Sequence, residues 1–114
     1  MHTRFVAVIA CLLAGPGLVL ACDYPSADDV IMPDGATAEK EDMLAGQKSV
    51  KAYVKDMEDY LTCIRIAYTG NDKQPTPQEE NVWTARHNAA VDAMDSVAAR
   101  FNEQVRVFKA RQRP

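Results

Sequence analysis

The chain has 114 residues, 47% of them hydrophobic and 25% charged, a balance that suits one folded domain and excludes a disordered tract. A formal net charge of −3 leaves no polycationic surface, which argues against nucleic acid as a partner. Three cysteines and two histidines, without Cys-x-x-Cys or His-x-x-x-His spacing, leave no recognisable zinc site.

Residues 1–21 read as an export leader. His2 and Arg4 precede an apolar run from Phe5 to Leu20, interrupted at Gly15-Pro16-Gly17, that closes on Val19-Leu20-Ala21 directly before Cys22. Signal peptidase I accepts the short residues Val19 and Ala21 and leaves Cys22 at the amino terminus with its thiol intact. Lipoprotein processing reads a Leu-x-(Ala or Gly)-Cys box and turns Cys22 into a thioether-linked lipid anchor; Val19 and bulky Leu20 depart from that box. An uncleaved leader offers ~17 apolar residues, short of a comfortable span. Every one of these readings puts the remainder outside the cytoplasm, in the periplasm or secreted, with membrane contact only if Cys22 is lipidated. Losing Arg4 from the 13 basic residues, against 16 acidic ones, makes the mature charge about −4.

Cys11 leaves with the leader, so Cys22 and Cys63 form an even pair in an oxidising compartment. A Cys22–Cys63 disulfide would close a loop of about 40 residues and contribute roughly 3 to 4 kcal/mol. Lipid on Cys22 would instead orphan Cys63.

Residues 22–36 carry Pro25, Pro33, the turn signal Pro33-Asp34-Gly35 and a short apolar patch, Val30-Ile31-Met32. They are expected to form an extended strap. A first helix is predicted over about 38–69, capped by the Thr37 hydroxyl, with Glu39, Glu41 and Asp42 at its positive end. Its apolar stripe runs through Met43, Val50, Val54, Met57, Leu61, Ile64 and Tyr68 at three- and four-residue steps, with Gln47 in register. Tyr53 and Tyr60 widen the stripe on one flank. Gly70 is the natural stop, and residues 70–76 form the connection.

The second helix, about 77–112, opens on a capping box, Thr76-Pro77-Gln78-Glu79. Its stripe passes through Trp83, Ala90, Val91, Met94, Val97, Ala98, Phe101, Val105 and Phe108, with His87 on the same face. The short loop makes the helices antiparallel neighbours. The fold class is therefore all-α: a long two-helix hairpin over 37–114 with an amino-terminal strap. Cys63 lies off the stripe on the Tyr60 flank, within reach of a strap laid back along the hairpin. The acidic start of the first helix is expected to face Arg106, Lys109 and Arg111. Two stripes this long exceed what one hairpin covers, so either the strap hides the rest or two hairpins dimerise into a four-helix bundle.

Chemistry is sparse. Cys63 and His87 fall near one level of the hairpin, the one conceivable nucleophile–base pair. Haem held by His87 with Met57 or Met94 would suit a bundle, yet Cys-x-x-Cys-His is missing and stripe methionines are ordinarily core filler. No catalytic residue, metal or cofactor is assigned.

The strings Cys22-Asp23-Tyr24-Pro25, Pro33-Asp34-Gly35-Ala36-Thr37, Tyr60-Leu61-Thr62-Cys63-Ile64, and Asn88-Ala89-Ala90-Val91-Asp92 followed by Phe101-Asn102-Glu103, resemble a group of small exported proteins of Gram-negative bacteria. The resemblance implies export and helical architecture, and carries over no activity, cofactor or catalytic residue. The expectation is a periplasmic structural or protein-interaction module, partnered by a second copy or another envelope protein. A lipoprotein lipidated at Cys22 and a small-molecule or haem binder are the alternatives.

Overall fold

The structure, a computed structural model, describes residues 22–69 and 74–113. The leader expected over 1–21, the Gly70 stop with Asn71, Asp72 and Lys73, and Pro114 lie outside the described residues. Among the described residues the fold is all-α, without a strand. Helix α1 (Lys40–Thr69) and helix α2 (Pro77–Arg111) pack against each other as a hairpin. At about 1.5 Å per residue they measure about 45 and 52 Å.

Helix α1 begins later than expected, and Thr37 does not cap it. The Thr37 and Ala38 N–H groups both donate to the Asp34 carbonyl, at 3.1 and 2.7 Å. Asp34 Oδ1 also accepts from the Ala36 N–H at 2.9 Å, so Asp34 closes the predicted turn and holds Thr37 inside it. The helix end is met instead by Asp42, in the first turn, whose Oδ2 accepts from the Glu39 N–H at 2.9 Å. At the start of α2, Thr76 Oγ1 accepts from the Glu79 N–H at 3.2 Å, as its spacing predicts. The reciprocal half of the box differs: the Glu79 carboxylate accepts a hydrogen bond from the Thr76 hydroxyl at 3.1 Å.

The antiparallel register is fixed at two places. Gly46 lies against Phe101, and Tyr68 shares a cleft with Glu79 and Trp83. Carried along the helices, this register sets Val50 level with Val97, Met57 with Ala90 and Ile64 with Trp83. Met57 and Ala90 are both 0% exposed. Large residues meet small ones in these layers, Met57 with Ala90 and Phe101 with Gly46, which lets the helices approach closely.

The buried face of α1 is rotated from the expected stripe. Met43, Gly46, Val50, Tyr53, Met57, Tyr60 and Ile64 are buried, whereas Val54 and Leu61 are only half-buried. The tyrosine flank is the covered one because the strap lies on it. In α2 only Ala90 and Val97 are buried; the rest of its stripe, from Trp83 to Phe108, is half-buried.

The strap runs antiparallel to α1. Cys22 is bridged to Cys63, Tyr24 stands edge-on to Tyr60 with ring centroids 5.0 Å apart, the Ile31 N–H donates to Ser49 Oγ at 2.8 Å, and Pro33 rests on Gly46. Eleven residues thus cover about 26 Å of α1, about 2.3 Å each, well below the rise of an extended chain. The shortfall is a 3₁₀ turn at Ala27–Asp29, set within the extended strap. The Ser26 side chain accepts from the Asp28 N–H at its start. Ala27, Val30 and Met32 pack onto the core between the helices.

Candidate functional site

The strap divides the hairpin into a covered side and an uncovered side. On the covered side, Cys22 and Cys63 form a disulfide with Cα atoms 5.7 Å apart and a sequence separation of 41. Both predicted site residues are therefore brought together. They line an open groove of about 460 Å³ with Asp23, Tyr24, Pro25, Asp56, Asp59 and Tyr60. Deeper under the strap, Tyr53 is 4% exposed and its hydroxyl has no hydrogen-bond partner. Burial, and secondarily the nearby Tyr24 phenol, push the Tyr53 pKa above its ordinary 10.0.

The strap's far end is fastened by α2. The Gly35 N–H donates to Gln104 Oε1 at 2.8 Å. The Arg111 guanidinium donates to the Ala36 carbonyl at 2.7 Å and also to the Ala38 carbonyl, while resting 5.2 Å from the Phe108 ring. This corrects the expected pairing of Arg106, Lys109 and Arg111 with Glu39, Glu41 and Asp42. Arg106 pairs with Glu103 on its own helix, and Arg111 is taken up by backbone carbonyls. Gly35 and Gly46 mark close approaches. A Cβ on Gly35 would lie 2.1 Å from the Gln104 carbonyl oxygen, and one on Gly46 would lie 2.5 Å from Pro33 Cδ. Sequence reasoning named Gly35 as a turn residue and passed over Gly46 and Gln104. The available signal was a glycine inside a helical repeat, which has a packing reason more often than a local one.

The remaining sequence candidates separate. Cys63 offers no thiol, so a nucleophilic pair with His87 is not formed; the His87 ring lies 5.2 Å from that of Trp83. Met57 is fully enclosed, which removes it as an accessible haem ligand, while Met94 is half-buried against the core. Among the described residues, no group of three His, Cys, Asp or Glu side chains is placed to hold a metal ion, and no helix is long and apolar enough to cross a membrane. At the loop end, a cleft of about 320 Å³ lies between Tyr68 and Trp83, edged by Arg65, Glu79 and Glu80.

The uncovered side keeps an apolar stripe. Val54 and Leu61 on α1, seven residues apart, and Val91, Ala98 and Val105 on α2, again seven apart, stay half-buried. Leu44, on the same edge of α1, is 54% exposed. Comparison with protein families, curated proteins and solved structures finds no match.

Proposed function

We propose that the chain is exported, loses residues 1–21, and acts outside the cytoplasm by contact, as a structural or protein-interaction module. The observation that carries this reading is the Cys22–Cys63 bridge. Disulfides persist in oxidising compartments, and this one joins the first residue after the expected cleavage point to α1 near the loop end of the hairpin. It also bears on the lipoprotein alternative, because a Cys22 sulfur bonded to Cys63 has no valence left for a thioether lipid. A scaffold that fastens a strap over one side and leaves an apolar stripe on the other is suited to holding a partner there.

Intact mass of the protein from a Gram-negative host, before and after reduction and alkylation, tests the reading. A chain starting at Cys22, two hydrogens light and alkylated twice only after reduction, is the expected result. Acyl mass on Cys22 with Cys63 freely alkylated would make it an anchored lipoprotein. The cleft between Tyr68 and Trp83 supports a second reading, small-molecule binding, for which ligand mass retained in native spectrometry is the test.

A further inference from the structure

We infer that the uncovered side of the hairpin is the interface for a second copy of this chain, related by a twofold axis parallel to the helices, giving a four-helix bundle. The inference rests on the contact-module reading and names its partner. The strap occupies the Tyr53 and Tyr60 edge, so only the opposite side remains open, and there the half-buried residues recur every seven positions, the spacing that lets helices pack side by side. Charge selects the occupant and the symmetry. Lys51 stands three residues before Val54, and Asp95 stands four after Val91 and three before Ala98, so each lies on the rim of this stripe, exposed. The hairpin register, with Gly46 against Phe101 and Tyr68 across one cleft from Glu79 to Trp83, puts Lys51 and Asp95 at similar heights.

A twofold axis parallel to the helices preserves height and lays α1 of one copy against α2 of the other. Each Lys51 then meets the other copy's Asp95, twice per dimer, and Glu58 meets the neutral Asn88 region. The competing arrangement, a twofold axis across the helices, lays α1 on α1 in opposite directions. Centred on Val54 and Leu61, it brings Glu58 to its own counterpart and Lys51 to Arg65, so like charges meet. The face is complementary to itself only in the first arrangement, which is the requirement for a closed dimer.

Sedimentation equilibrium of the exported, bridged protein from micromolar to near-millimolar concentration tests this. A monomer–dimer equilibrium is expected. Leu61→Lys should weaken it at least tenfold, and Lys51→Glu or Asp95→Lys alone by about tenfold, because each reversal acts at two symmetric pairs. The double variant Lys51→Glu/Asp95→Lys should restore it; both sites are exposed, so folding is spared even if Leu61→Lys disturbs it. A monomer throughout the range, or a dimer indifferent to Lys51 and Asp95, would overturn the inference. The mass measurement on the same sample keeps the outcomes separate: a bridged, leader-free monomer removes the second copy as partner, whereas a retained leader or free thiols removes the contact-module reading.

Discussion

The two halves of the strap are held by different chemistry. The amino half, Cys22 to Val30, is fastened covalently to α1 and leans on it through the Tyr24–Tyr60 edge contact. The carboxyl half, Ile31 to Ala38, has no covalent tie. It is held by hydrogen bonds that its N–H groups donate to Ser49 and Gln104, by those its carbonyls accept from Arg111, and by two glycines whose missing side chains let backbone and proline come close. A disulfide acts largely through the unfolded chain, while close packing acts wholly in the folded one. One strap thus combines a fastening that acts largely on the unfolded chain with one that acts in the folded chain.

The largest effect should come from the covalent half. Replacing both cysteines, Cys22→Ser with Cys63→Ser, should lower stability by roughly 3 to 4 kcal/mol in denaturant unfolding. Amide exchange sharpens the comparison. The N–H groups of Asp29 and Val30, in the 3₁₀ turn, should lose protection, while those of Ile31 and Gly35, held by Ser49 and Gln104, should keep it. Equal loss at Gly35 would show that the strap opens as one unit and that the division into halves is false.

Gly35→Ala probes the other half with the disulfide intact. Its Cβ would lie 2.1 Å from the Gln104 carbonyl oxygen and 2.9 Å from its carbonyl carbon, and helix backbone cannot yield as a side chain can. The expected cost is about 2 to 3 kcal/mol, with lost protection confined to residues 31–38. A variant as stable as the parent would show that α2 and the strap can separate without loss.

The two halves also differ in how far the sequence announces them. The amino half was legible because the two cysteines outside the expected leader point to each other, and because strap length and helix rise make the reach feasible. Helix existence, the Thr76 cap and the antiparallel pairing were legible for the same kind of reason: period and capping are local signals. The buried face of α1 was not. Gly46 contributes no hydrophobicity and Gln47 sits beside it, so the periodicity favoured Val54 and Leu61 over Tyr53 and Tyr60. What decides between those flanks is a strap from another part of the chain. The carboxyl clasp was equally hidden, since Arg111 and Gln104 bind backbone groups some 70 residues away, and backbone acceptors leave no trace in side-chain pattern. Charge counting placed Arg111 near the right end of α1 and assigned it the wrong acceptors.

Arg111→Ala tests that clasp by itself. Its guanidinium reaches two carbonyls at once from a largely exposed position, so the loss should be about 1 kcal/mol in denaturant unfolding. Arg111→Lys should recover only part of it, because an ammonium on a flexible stem cannot present a planar fork to Ala36 and Ala38 together. Full recovery by lysine would assign the effect to charge at the end of α2 and not to the clasp.

Tyr53→Phe is the smallest change and reads the strap's underside. At neutral pH it removes a buried hydroxyl without a partner, so stability should be unchanged or higher by up to ~1 kcal/mol. Alkaline pH reveals the rest. Burial and Tyr24 raise the Tyr53 pKa above 10.0, so between that value and the folded pKa the native chain holds a proton that the unfolded chain has lost. Stability must then fall as pH climbs through that window, and the phenylalanine variant should lose this part of the fall. A drop of more than 1 kcal/mol at neutral pH would mean that the hydroxyl is satisfied under the strap and that the amino half is held by a polar contact as well as by its disulfide and its apolar packing.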